Sequence, residues 1–258
     1  MNPKLLFSLL PLAFLCSCGE RITQTLDDRT EDQYAYFPLE SGFFREYVVD
    51  SSIYDFAAGS GTIVLQSRTW VREQVGDTLR DNTGALMYRI ERFEKKEINA
   101  PWELKHINTA GIVDNKAVST ENNLRFLKMP FPMDRRSEWN GNVWLDAEQE
   151  IEIAGERVRP FSNWRYEVDS IDIAAQIGAF AFDSLLVITE ADDENLIERR
   201  LSIARYAKNV GLVQREQWIL DSQYCNQNPT PADCATKPWL LKAEKGYLLQ
   251  QTLLDYKR

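Results

Sequence analysis

The sequence predicts a mainly β fold: one antiparallel β domain, as a curved sheet, open barrel or sandwich, with at most one or two short helices, behind a signal peptide and a tether. Three observations carry this. From Tyr36 onward, segments rich in aromatic and β-branched residues recur, many with the two-residue alternation of a half-buried strand. Gly, Asn and Asp punctuate them at short intervals, as turns require. Hydrophobic residues make up 44% of the chain, enough for a real core, and no repeat or linker divides it, so residues 36–258 read as one domain.

The elements follow in order. Residues 1–17 have the parts of a signal peptide: Lys4, then an apolar run from Leu5 to Leu15, shorter than the roughly 20 residues that span a bilayer. Leu15-Cys16-Ser17-Cys18 comes next and resembles the lipobox of bacterial lipoproteins. Cleavage before a lipobox cysteine requires a small residue just upstream, which Ser17 supplies for Cys18 and Leu15 does not supply for Cys16. The resemblance implies that Cys18 becomes the N-terminus and carries lipid, each buried methylene contributing about 0.8 kcal/mol to the anchor. Residues 18–35 are polar without a repeating apolar face and read as a flexible tether.

Strands are expected over 43–56, 62–74, 85–95, 148–153, 164–173, 183–190, 196–204, 212–220 and 247–256. A hairpin is expected from 102–108 to 112–118 around Thr109-Ala110-Gly111, with a further turn at Asp114-Asn115. Asp192-Asp193-Glu194-Asn195 reads as a turn, and Ile173 to Phe182 as a possible short helix. Two prolines and an Asn-Gly make 128–146 largely irregular.

The cysteine count closes on this account. Cys16 leaves with the signal and Cys18 is lipidated, so Cys225 and Cys234 remain, flanking a polar, Pro-rich stretch. In an oxidising compartment two such thiols pair, and so short a loop contributes about 2–3 kcal/mol. A zinc pair lacks further ligands, since the one histidine is His106.

The formal charge of −9 becomes one unit more negative when Lys4 leaves. No basic stripe exists, which disfavours nucleic acid and direct attraction to an anionic bilayer. The membrane partner is therefore reached through the N-terminal lipid.

Several boxes, in order, resemble an uncharacterised family of Bacteroidota (Cytophagales-type) lipoproteins. Tyr36-Phe37-Pro38-Leu39-Glu40-Ser41-Gly42 runs into Tyr47-Val48-Val49-Asp50-Ser51. Tyr88-Arg89-Ile90-Glu91-Arg92 follows, then Asn123-Leu124-Arg125-Phe126, Phe131-Pro132 and Trp139-Asn140-Gly141-Asn142. Tyr206-Ala207-Lys208-Asn209-Val210-Gly211-Leu212-Val213 and Thr252-Leu253-Leu254-Asp255-Tyr256 complete the set. The sequence departs from the family at Phe43-Phe44-Arg45. The resemblance implies a lipid-anchored β domain and no activity. Read by themselves, Gly42 and Gly211 sit where positive φ is expected.

Catalytic motifs are not found. His106 lies on an expected exposed strand, with no Gly-x-Ser-x-Gly box and no zinc or phosphate-loop pattern. Asp192-Asp193-Glu194-Asn195 lacks EF-hand spacing, and Glu148, Glu150 and Glu152 read as a solvated strand face. Trp102, Trp139, Trp144, Trp164 and Trp239 read as core residues, with sugar stacking or an apolar groove as the alternative. Asp77-Thr78-Leu79, Asp169-Ser170-Ile171 and Asp183-Ser184-Leu185 resemble the Bacteroidota O-glycosylation site, which marks Thr78, Ser170 and Ser184 as candidates.

The expected function is a non-enzymatic binding or structural protein of the cell envelope, without cofactor or metal, working with envelope proteins or an apolar ligand. The alternatives are a half-barrel carrier of apolar ligands (lipid or lipoprotein) and a carbohydrate-binding or carbohydrate-active protein. Asp27-Asp28 stands further from Cys18 than the usual surface-export signal, which favours the periplasmic face of the outer membrane over the cell surface.

Overall fold

A computed structural model describes residues 28–57, 61–227, 234 and 236–257. Cys18, the signal peptide and most of the expected tether lie outside the described residues. The fold is mainly β. Strands β1 (Phe44–Ala57), β2 (Gly61–Arg80), β3 (Leu86–Lys95), β4 (Glu103–Val113), β5 (Lys116–Glu121) and β6 (Leu124–Pro130) form the first half. After β7 (Glu138–Trp139), a small hairpin, β8 (Ile151–Ile153) and β9 (Glu156–Val158), stands apart. The second half is β10 (Tyr166–Ile177), β11 (Phe180–Glu194), β12 (Glu198–Ala207), β13 (Gly211–Asp221) and β14 (Lys245–Lys257). The described helices are short: α1 (Asp28–Tyr34), α2 (Tyr224–Gln227) and α3 (Trp239–Lys242).

Twelve strands make one sheet in the order β6-β5-β4-β3-β2-β1-β14-β13-β12-β11-β10-β7. The chain thus builds two meanders and joins them where β14 returns to β1, with Tyr47 opposite Leu253 and Val49 opposite Gln251. The sheet is nearly closed. Its two edges touch: the Leu127 amide on β6 donates to the Gly141 carbonyl just past β7 at 2.8 Å, and the Trp139 indole donates to the Leu127 carbonyl at 3.0 Å. Curling satisfies edge groups that would otherwise invite pairing with another chain.

Buried apolar side chains gather in several clusters. One cluster brings Ala117 and Met129 from β5 and β6 against Tyr166, Val168, Leu186 and Ile188 from β10 and β11. A second joins Tyr47 and Val49 to Val213 and Leu253. Segment 36–43 bridges these walls. Tyr36 is fully buried in the first cluster, Phe43 sits with Val75 and Ile90 in a third, and Phe37 packs against both.

Several sequence expectations need correction. Residues 28–35 are not tether. α1 is docked through Gln33, whose amide donates to the Met133 carbonyl and accepts from the Met133 amide, both at 2.7 Å. Polar side chains serve here as contacts, so polarity misleads. Thr109-Ala110-Gly111 is not a turn, because β4 runs through it and the chain reverses only at Asp114-Asn115, both at positive φ. Gly111 is small for close approach: a Cβ there would lie 2.9 Å from the Leu86 carbonyl oxygen. Residues 173–182 are not helical. They form the β10–β11 hairpin, whose Gly178 has φ +57° between the Ile177–Phe180 pair, as two-residue hairpins require. Strand β11 continues through Asp192, Asp193 and Glu194, held by Arg199 on β12, so the turn begins only at Asn195. The strand expected over 148–153 shrinks to Ile151–Ile153.

Gly42 and Gly211 do hold positive φ, +90° and +86°. Gly211 is also crowded, since a Cβ there would stand 3.2 Å from Pro38 Cδ and against the Arg45 guanidinium. Gly211→Ala is expected to lower stability by about 1–2 kcal/mol or more, read as a drop in the urea midpoint. Gly42→Ala, which meets no neighbour within 4 Å, is expected to cost less. Equal losses would show that the crowding of Gly211 by Pro38 and Arg45 is immaterial.

Candidate ligand-binding cavity

The barrel is not solid. A cavity of about 260 Å³ opens inside it, walled by β1 to β6 and β12 to β14, with Phe37, Pro38 and Leu39 among its lining. Exposed His106 and Asn122 mark the mouth, and buried Arg45, Lys128 and Gln251 mark the inner wall. The volume is just below the roughly 300–1,000 Å³ of typical small-molecule sites.

The lining is charged. Arg45, Arg92, Lys128 and Arg215 line it beside Glu73, Glu94 and Glu121. Glu73 lies 3.4 Å from Arg92 and 4.0 Å from Arg45, and Glu94 accepts from the Arg92 Nε at 2.9 Å. Glu121 lies 3.0 Å from Lys128 and 3.6 Å from Arg215, and accepts from the Ser119 hydroxyl at 2.9 Å. Glu190 sits behind the wall, 4.0 Å from Lys128 and 3.7 Å from Arg215. The Ser202 hydroxyl donates to Glu190 at 2.6 Å, and the Gln217 amide donates to that hydroxyl at 3.2 Å.

These contacts set the protonation states. Burial disfavours the Glu121 carboxylate, but Lys128 and Arg215 outweigh it and hold its pKa at about 2. Glu121 is a third exposed, and it lines the cavity. Burial also works against the Arg215 cation, and Glu190 and Glu121 overcome it, raising its pKa well above the ordinary value. Burial pushes the Tyr247 phenol up to about 12 and raises Tyr47, Tyr166 and Tyr206 as well. The interior therefore holds fixed charges and neutral phenols. A glycosidase needs a carboxyl kept protonated as general acid, whereas Glu121 is held ionised.

The residues singled out from sequence fall mostly elsewhere. Cys225 and Cys234 are disulfide-bonded, with Cα atoms 5.2 Å apart. Thr78 is exposed on β2, and Ser170 is half-buried on β10. Ser184 is half-buried too, its hydroxyl 2.5 Å from Asp172 and 2.8 Å from the Tyr36 hydroxyl. Glu148, Glu150 and Glu152 are exposed, the first two paired with Arg159 and Arg157. Among the described residues no group of three His, Cys, Asp or Glu side chains could hold a metal ion. Trp239 is buried, and Trp139 and Trp164 join Tyr166 in a run of ring contacts. Trp102 is capped by Arg72 and Lys95, and half-exposed Trp144 by Arg125. None of these five lines the cavity. Of the earlier candidates only His106 reaches it, at the rim, on the exposed stretch of β4.

The charged lining was missed, yet a signal existed. On β13, Arg215 and Gln217 share strand parity with fully buried Ile219. A charge on the same face as a core residue marks a polar interior rather than a solvated surface.

No protein-family model and no curated protein matches the chain. Among solved structures it is similar to a protein of Bacteroides fragilis described as exported, with a YmcC-like fold, at 11% identity and TM-score 0.41 over 86% of this chain and 99% of that one. It is also similar to one from Parabacteroides distasonis described as a lipoprotein, at 13% identity and TM-score 0.31 over 86% and 98%. Likeness at this level carries no functional weight.

Because the folded pKa of Glu121 lies below its ordinary value, its stabilising contribution is full above about pH 4.5. It is lost as the pH falls toward 2. Glu121→Gln is therefore expected to be less stable than the parent at pH 7, with the gap closing between pH 4.5 and 2 in denaturation curves. A gap that stays constant across that window would mean Glu121 is not ion-paired in the fold.

Proposed function

We propose that this chain is a lipid-anchored protein of the cell envelope whose barrel binds a small polar ligand without transforming it. The observation that carries the binding reading is the cavity: open at one mouth, about 260 Å³, and lined by seven charged side chains. Its lining argues against the apolar-ligand carrier, which needs an apolar chamber of several hundred Å³. The wall carboxylates each face Arg or Lys within about 4 Å, which supports holding a ligand rather than moving protons.

The anchor reading rests on Ser17-Cys18 behind the apolar run, and the Cys225–Cys234 bond fits an oxidising compartment. Lipid on Cys18 followed by a short polar stretch up to α1 would keep the barrel close to its membrane, with the periplasmic face of the outer membrane favoured.

Intact mass of the protein from native membranes should equal the chain from Cys18 plus lipid, and Cys18→Ala should appear in the soluble fraction. An unmodified N-terminus in the parent protein would remove the anchor. Native mass spectrometry of the same material should reveal a small polar adduct. A bound acyl lipid would restore the apolar carrier instead.

A further inference from the structure

We infer that β2 carries a docking surface for a second copy of this chain, which pairs with it edge to edge and antiparallel along Gly61 to Ser67, about a two-fold axis at Val64. The surface lies outside the cavity and is independent of what the cavity holds. β1 and β2 pair along their shared length, from Phe44 with Gln74 to Ala57 with Gly61. Their outer neighbours stop short: β14 pairs with β1 only as far as Tyr54, and β3 with β2 only as far as Trp70. The end of the hairpin therefore stands clear of the barrel as a two-stranded ribbon. Among the described residues no strand pairs with Gly61 to Thr69 on the side away from β1. Gly61 through Arg68 are all exposed.

An unpaired edge makes a specific demand. Every second residue turns its N–H and C=O outward, and another strand satisfies such a row. Natural edges of this kind are guarded by Lys, Pro or a bulge. This one is not: Gly61-Thr62-Ile63-Val64-Leu65-Gln66-Ser67 holds no charge and no proline, and its register with β1 is unbroken. The whole chain carries a net charge of −9, which sets two copies repelling one another. An uncharged strand edge is where they approach with least repulsion. The ribbon is also held in place for pairing, because Tyr54 packs on Leu220 and Trp239 and braces its base.

The register identifies the occupant. Val64 lies opposite Tyr54, Leu65 opposite Ile53 and Ile63 opposite Asp55. A two-fold axis at Val64 sets that residue against its own copy, and sets Ile63 against Leu65 of the second chain. The product is a four-stranded sheet in the order β1-β2-β2-β1. One face carries the row Tyr54-Val64-Val64-Tyr54, and the other carries Ile53-Leu65-Ile63-Asp55 twice. Ile63, Val64 and Leu65 are 44%, 44% and 51% exposed in the single chain. In the pair each meets an apolar side chain across the new seam, and no row holds two like charges. The same patch serves on both copies, so the pairing closes on itself as a dimer.

The test is sedimentation velocity of the full chain in detergent, which is expected to show a dimer that dissociates on dilution. Val64→Lys and Val64→Glu each set like charges opposite one another at the axis, and each is expected to weaken the dimer by about ten-fold. An equimolar mixture of the two variants is expected to recover it. Leu79→Lys, on the part of β2 that β3 already covers, is expected to change nothing. In native membranes Val64→Cys is expected to give a disulfide-linked dimer of this chain. Near-UV circular dichroism identifies which variants are folded. A parent protein that stays monomeric at every concentration overturns the proposal. So does a dimer indifferent to both charges, or one that a mixture of the folded variants fails to restore. A cross-link from Val64→Cys to a different protein overturns it as well, and assigns the edge to a strand of that protein.

Discussion

Lys128 on β6 and Glu121 on β5 meet Glu190 on β11 and Arg215 on β13, and the curl of the sheet depends on that meeting. The four charges come from strands far apart in the sheet order. Lys128 and Glu190 are 5% and 2% exposed, so neither is stable there alone. A buried ion without its partner costs several kcal/mol, far more than the pair gains over two apolar residues. The constraint is thus one of specificity: a flatter sheet would strand four ions, while the observed curl pairs them. The edge contacts of Leu127 with Gly141 and Trp139 then follow on the outside.

The strands were legible because most of them set aromatic and β-branched residues against polar ones. In Tyr88-Arg89-Ile90-Glu91-Arg92 the alternation even identifies the inner face, since Ile90 and Arg92 both line the cavity. The cavity itself was not legible. A charged side chain inside a barrel and one on its surface look alike in sequence, and only the company of a buried neighbour separates them. The errors share a cause. Ile173–Phe182 is an apolar run without alternation, which periodicity cannot assign. Gly111 looked like a turn residue when its role was close approach to β3. Residues 28–35 looked like tether because their contacts are made by Gln33 and Asp32 rather than by apolar groups.

The described N-terminal segment leads into the cavity wall. α1 is fixed by Gln33 at Met133, and Lys208 holds Asp32 at 2.7 Å and Asp172 at 2.8 Å. The chain then enters the barrel at Tyr36 and contributes Phe37, Pro38 and Leu39 to the cavity wall. The segments 36–42 and 206–213 meet here, since the Asn209 amide donates to the Ala35 carbonyl at 2.6 Å and Gly211 makes room for Pro38 and Arg45. Their conformational demands are local, but together they form one wall of the chamber and seat one of its arginines.

That seat bears on why the chamber is polar at all. Apolar residues in place of the Lys128–Glu190–Arg215 set would pack a tighter core, and replacements of this kind are often neutral or stabilising. Specificity of curl accounts for the four charges that touch one another. It does not account for the Gln251 amide nitrogen, nor for the Nε groups of Arg45 and Arg215, which are buried without a hydrogen-bond partner. Those three atoms are sealed among the side chains of the wall, so the polar character of the chamber comes from its ion pairs, which give up apolar packing in return for a single curl.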